Sequence, residues 1–268
     1  MASGKPARDP GRLEQTPRRL GPVPRDTREL GSAWLTYQRH DFPLPSPELE
    51  RYVSYYWDVS WDYAEPYRQK IVPYPNVHLT FQDGAAYVRG VASGHQTKVL
   101  AGRSGVFGVA FRPGCFRPFL HASVSTITDR SLDAREVFTD LPDRPSVETV
   151  ERCLLARRPA PDPRADEAAD IVSMIVAKPD LTRVDDLAHA SGMSVRGLQR
   201  LFAEYVGIGP KWVIRRYRLH EVTERLAKGA EIDWASLAVE LGYADQAHFV
   251  RDFKEMFGET PTWYAARY

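Results

Sequence analysis

Residues 209–217 read GPKWVIRRY and residues 260–268 read TPTWYAARY. Pro210, Trp212, Arg216 and Tyr217 recur 51 positions later as Pro261, Trp263, Arg267 and Tyr268. The register extends backwards through Gly207 and Gly258, Glu204 and Glu255, Phe202 and Phe253, and Arg200 and Arg251. Leu187-Ala188 and Gly192 match Leu237-Ala238 and Gly242 at an offset of 50, so the second copy carries one extra residue between Gly242 and Phe249. Two units are too few for a solenoid, which needs about three to bury a continuous core. A duplicated binding device fits better.

Both copies share one grammar. In the first, residues 184–188 start a short helix and Ser191-Gly192-Met193-Ser194 forms a turn. Gly192 suits a left-handed backbone there, and Ser194 can cap the helix that follows. That helix buries Val195, Leu198, Leu201, Phe202 and Tyr205, the apolar spacing of an amphipathic helix. In the second copy, residues 234–241 form the first helix, Gly242-Tyr243-Ala244 the turn and Asp245 the cap, before a helix that buries Phe249, Phe253, Met256 and Phe257. Helix, glycine turn, helix is the pattern of a DNA-binding helix-turn-helix. The two reading helices are predicted at about 194–205 and 245–257. Between the copies, residues 211–228 read as one long helix opened by Pro210 and closed by Gly229.

With the apolar residues turned inward, Arg196, Gly197, Gln199, Arg200, Ala203 and Glu204 face outward in the first copy, and Gln246, Ala247, His248, Arg251, Asp252 and Lys254 in the second, with Val250 at the margin. Arg and Gln can bond bidentately to guanine or adenine edges, and small apolar groups can touch a thymine methyl. Any one of these arginines could be a merely solvated side chain; two equivalent faces at matched positions are harder to explain that way. Net charge is only +1, but residues 196–218 hold six basic residues against Glu204 alone, a stripe suited to phosphates. Arg215, Arg216, Lys254 and the helix N-terminus at Ser194 are the expected phosphate contacts.

On these words, residues about 165–268 resemble the DNA-binding domain of the AraC/XylS family of bacterial transcription regulators. LTRVDDLAHASGMSVRGLQRLFAEYVGIGPKWVIRRYRLHEVTERLA and IDWASLAVELGYADQAHFVRDFKEMFGETPTWYAARY carry the resemblance. It implies seven helices, two helix-turn-helix units with a connecting helix, and base-facing positions on Arg196, Gln199 and Arg200, then on Gln246, Ala247, His248, Val250 and Arg251. Duplex DNA and RNA polymerase are the partners it implies. Val222 departs from the small residue usual in the connecting helix.

The 43% hydrophobic and 26% charged composition suits a soluble chain of two domains. No apolar run reaches the roughly 18 residues a membrane helix needs, and residues 1–30, rich in proline and charge, read as a disordered tail without a signal-peptide core. Cys115 and Cys153 lack a paired spacing, so a reduced cytoplasm is expected.

Residues 31–145 alternate as half-buried strands do, with turns at Gln82-Asp83-Gly84 and Arg112-Pro113-Gly114. Residues 146–164 add a helix and a linker, within which 156–166 read ARRPAPDPRAD. The fold class expected is α+β in two domains: a β-rich, cupin-like sensor or dimerisation domain, then an all-α domain with two helix-turn-helix units. QKIVPYPNVHLTFQDG and GVAFRPGCFRPFL are similar, more weakly, to such β-rich regulator domains.

The aromatic series Tyr52, Tyr55, Tyr56, Trp57, Trp61, Tyr63 and Tyr67 admits an effector pocket or an ordinary core. Trp57, Arg68, His78 and Arg112 are the candidate pocket residues. Within residues 31–145 no His-x-His or His-Glu motif supports a metal, and no cofactor is expected, leaving a metal-dependent cupin-like enzyme with secondary DNA binding as one alternative. A protein-interaction adaptor is another. Cys115 admits either a reactive thiol or an inert buried one.

Overall fold

Along residues 53–71 Val59, Trp61 and Tyr63 are buried while Asp58, Ser60 and Asp62 are exposed, the period of two that a strand requires. The computed structural model describes residues 37–227 and 232–266. The tail expected over residues 1–30, the helix end at 228–229 and the pair Arg267 and Tyr268 therefore lie outside the described residues.

Strands β1 (Gln38–Asp41), β2 (Val53–Ile71), β3 (His78–Gln82), β4 (Ala85–Arg89), β5 (Gln96–Phe111) and β6 (Ser131–Asp133) form one sheet in the order β1-β2-β5-β3-β4-β6. Every pairing is antiparallel. The long β2–β5 ribbon shifts register between Val53 and Tyr55 and between Tyr63 and Tyr67. Such bulges increase the local twist and bend the ribbon.

One sheet face, with Tyr56, Leu79, Val88, Val109 and Phe111, packs against Phe116, Phe119, Val124 and Phe138. Phe119 belongs to the single turn α1 (Arg117–Leu120); Val150 and Leu154 come from α2 (Val147–Ala156) and complete that core. Of the aromatic series, Tyr52, Tyr55, Tyr56, Trp61, Tyr63 and Tyr67 are buried core residues. Cys115 is buried as well, and desolvation pushes its thiol up to about 11, so it is protonated and inert at neutral pH.

Residues 157–162 link α2 to α3 (Pro163–Ala177), which Asp162 caps through the backbone N–H groups of Arg164 and Ala165. Then follow α4 (Val184–Ala190), α5 (Val195–Leu201), α6 (Pro210–Ala227), α7 (Trp234–Glu240), α8 (Gln246–Phe257) and α9 (Pro261–Ala265). From residue 163 onward the described chain thus holds seven α-helices, the number the family resemblance implies. The first reading helix does not end as a plain α-helix: residues 202–206 continue α5 as a π-turn before Gly207.

Helix α6 is shared between two cores. Val213 and Ile214 pack with Leu187, Leu198, Leu201 and Phe202 of the first unit. Leu219, Val222 and Leu226 pack with Leu237, Phe249, Phe253 and Phe257 of the second. Val222 is fully buried there, so the larger side chain fills core volume.

Candidate nucleic-acid interface

The two helix-turn-helix units reproduce each other bond by bond. Gly192 N–H donates to His189 O and Met193 N–H to Ala188 O; Gly242 N–H donates to Val239 O and Tyr243 N–H to Ala238 O. Gly192 and Gly242 sit at φ 67° and 77°, where a side chain would be strained. The cap follows at different offsets: Ser194 Oγ accepts from Gly197 N–H at 3.1 Å, and Asp245 Oδ1 from His248 N–H at 2.7 Å. The extra residue of the second copy is therefore Ala244, between the turn and the cap.

With the caps aligned, Arg196, Gln199 and Arg200 correspond to Ala247, Val250 and Arg251. Arg196, Gln199, Arg200, Gln246, Ala247, His248 and Arg251 are all exposed, and Val250 is half-buried against the second core. Tyr243 meets the His248 ring edge-on at 5.3 Å, and His248 Nε2 lies 3.9 Å from Asp252. Each unit thus offers solvent a short surface of hydrogen-bond donors backed by buried Leu or Phe.

The basic stripe divides. Ser194 and Lys254 are exposed. Arg215 is mostly covered and pairs with Asp252 (3.4 Å) and Glu255 (3.1 Å) on α8, so it ties the connecting helix to the second reader. Arg216 corrects the sequence expectation outright: it is fully buried and cannot meet a phosphate in this arrangement. Its Nε donates to Pro73 O at 2.6 Å, and its guanidinium lies 3.8 Å from the Tyr74 ring centroid.

Arg218, which the sequence reading passed over, donates to Leu241 O at the end of α7 (2.9 Å) and to Leu181 O ahead of α4 (3.3 Å). One side chain thereby bridges the two units. Only its place in the basic stripe could have drawn attention to it.

The β-rich domain grips this apparatus directly. Tyr74 OH and His220 Nδ1 are 2.8 Å apart, and Trp212 Nε1 donates to Ser93 O at 2.7 Å. At the end of the first reading helix, Ser123 Oγ donates to Ala203 O (3.0 Å) and Arg117 pairs with Glu204 (2.9 Å).

Pro73 and Tyr74 also line a cleft of about 890 Å³, its open mouth included, in the β-rich domain. The structure brings two of the four candidate pocket residues into it, Trp57 and His78, which share a 3.3 Å hydrogen bond. Indole N–H only donates, so His78 Nδ1 accepts and the ring proton sits on Nε2. Burial, reinforced by the charges of Lys98 and Arg89, lowers His78 to about 4, leaving it neutral. Arg68 is exposed on β2, and Arg112 instead approaches Glu50 O at 3.5 Å; neither lines the cleft. The sequence reading missed Arg89 and Lys98, both in the lining. Their signal was a cation sharing a strand face with inward residues, as Lys98 does with buried Leu100.

Among the described residues no three His, Cys, Asp or Glu side chains gather as a metal-ligand set, and no helix is long and apolar enough to cross a membrane.

Residues 187–267 match a family model described as a helix-turn-helix domain, and residues 42–133 match a domain of unknown function. The chain is 33% identical over 79 residues to a probable transcription factor, PqrA, of Proteus vulgaris, spanning 30% of this chain and 64% of that one. It is 35% identical over 75 residues to the HTH-type transcriptional regulator GlxA of Rhizobium meliloti, spanning 28% and 23%. The chain thus spans less than two thirds of the length of these relatives.

Among solved structures, a transcriptional regulator of the AraC-type DNA-binding-domain class from Chromobacterium violaceum is 25% identical, over 38% of this chain and 91% of that one, with a TM-score of 0.35. ToxT from Vibrio cholerae is 11% identical, over 87% and 98%, with a TM-score of 0.39. The duplicated turn-and-cap geometry and the matched family model together identify residues 187–267 as a helix-turn-helix domain.

Proposed function

We propose that this protein is a sequence-specific transcription regulator that lays α5 and α8 in successive major grooves of one duplex. The matched reading faces at the two ends of α6 carry this reading. The 18 residues of α6 span about 27 Å at 1.5 Å per residue, a strut of the size needed to hold two readers about one DNA turn, roughly 34 Å, apart. Arg196, Gln199 and Arg200 read bases in one groove, and Gln246, Ala247, His248, Val250 and Arg251 in the other. Lys254 and the capped N-terminus at Ser194 supply phosphate contacts, which give affinity without sequence preference. Arg215 positions α8.

In this reading the β-rich domain senses a small-molecule effector and can pair two copies, RNA polymerase is the protein partner, and the chain is a cytoplasmic regulator rather than an enzyme. Specific binding weakens steeply with salt. Arg200→Ala and Arg251→Ala each cost about 1–3 kcal/mol at the cognate base and flatten preference at positions in different halves of the site. Binding profiles against single-base variants of the site test this. Loss of preference at one shared position, or equal loss on specific and random DNA, contradicts it.

A further inference from the structure

Three cations line the cleft, of which Arg130 is exposed and donates to Thr126 O at 3.0 Å, while Arg89 and Lys98 are half-buried. Arg89 donates through Nε to Thr80 Oγ1 (2.9 Å) and through a terminal nitrogen to Ser131 Oγ (3.2 Å), both neutral hydroxyls. Among the described residues no carboxylate lies within ion-pair distance of Arg89 or Lys98. Burial, and then the charge of Arg89, brings the Lys98 ammonium down to about 8; burial holds Arg89 below its usual range as well. Asp129 is the acid in the lining, but it is exposed and already accepts from Ser93 N–H at 2.7 Å. Two desolvated like charges disfavour each other, and an anion between them removes that cost.

The remaining wall is apolar and aromatic. Trp57, Val59, Ile71, Pro73 and Tyr74 line it, and Trp57 lies so close to Gly108 that a Cβ there would stand 2.2 Å from the indole. The ring is thereby held against the sheet as a fixed surface. A bare inorganic ion would leave this wall unused, whereas an apolar body with an oxyanion head uses both halves.

We infer that this cleft binds a small organic anion, an oxyanion head on a flat apolar body, with Lys98 and Arg89 holding the head and Trp57 the body. The inference rests on the effector reading above and gives it a ligand class. It also gives a route to the DNA-reading domain: Tyr74 lines the cleft and bonds His220 of α6, and Pro73 beside it accepts from Arg216. An occupant that moves this pair of residues moves the helix shared by both readers.

The test is calorimetric titration of the full-length protein, without DNA, with 2-naphthoate, 2-naphthyl phosphate and neutral 2-naphthylmethanol. At least one anion binds ten-fold or more tightly than the alcohol; whichever wins sets the head group as carboxylate or phosphate. Lys98→Gln and Arg89→Gln abolish that preference while Lys98→Arg retains it, and thermal melts confirm that each variant is folded. Equal binding of anion and alcohol, no binding at millimolar concentration, or a preference that survives both Gln variants overturns the inference. Because DNA is absent, failure here is separate from failure of the DNA-reading proposal.

Discussion

Arg216 is a cation at a fully buried position, with Pro73 O as its hydrogen-bond acceptor and the rings of Tyr74 and Phe257 at 3.8 and 5.4 Å. Its two terminal nitrogens meet no acceptor among the described residues. A buried charge without a carboxylate adds little stability, and an apolar residue of similar volume often serves as well or better. Arg216→Met is therefore expected to leave thermal stability equal or raised and the salt slope of DNA binding unchanged. A slope shallower by about one would return Arg216 to the phosphate contacts.

Lys98 makes a signed pH prediction at the same scale. Its folded-state value of about 8 lies below that of an unfolded lysine, so the unfolded chain binds more protons between them. Ligand-free protein gains stability from this group as pH rises through about 8 toward 10. The charged groups that act on it are Arg89 of β4 and His78 of β3, which do not change charge in that window. Subtracting the denaturation curve of Lys98→Met from that of the wild type isolates the effect; a flat difference contradicts a desolvated Lys98.

At the scale of elements, the caps and the bridging arginine set how precisely each reader is held. Removing the cap oxygen by Ser194→Ala or Asp245→Ala is expected to cost about 0.5–2 kcal/mol of stability each, measured by denaturant unfolding. A cost near zero at Asp245 would mean that the bond to His248 N–H does not hold α8. Arg218→Ala leaves Leu181 O and Leu241 O without their donor and frees one unit from the other. DNA binding by this variant should tolerate one- or two-base-pair changes in half-site spacing that the wild type rejects. Unchanged spacing preference would show that the shared α6 core suffices.

These elements were also the ones most legible in the sequence. Helical period, turn glycines and cap residues are local properties, so both units, their caps and their exposed Arg and Gln faces could be read from short windows. The role of the β2 aromatics could not. Tyr63 and Tyr67 are buried, but an aromatic series of this kind suits a core and a pocket lining equally. The fates of Arg215, Arg216 and Arg218 were illegible for another reason: Pro73, Leu181, Leu241 and Asp252 reach them only through tertiary packing. Lys98 and Arg89 become a pair because β5 and β4, on either side of β3, line one cleft.

Across the whole molecule, one helix touches both helix-turn-helix cores and the β-rich domain. Helix α6 contributes to the cores of both readers and carries Trp212, Arg216 and His220 to the β-rich domain. On the two proposals above, a ligand in the cleft and a duplex on the readers would act on the same helix, and linkage would require each to change the affinity of the other by the same factor. Tyr74→Phe removes the hydroxyl that meets His220, and is expected to reduce that factor toward one while DNA binding without ligand stays measurable. The duplication itself is best examined by selecting sites for the full-length protein from random duplex DNA and sequencing the bound pool. Two conserved blocks about one helical turn apart, one altered by Arg200→Ala and the other by Arg251→Ala, are the expected result. A single conserved block, or two blocks that both respond to the same substitution, would contradict a chain that reads successive grooves with its two matched helices.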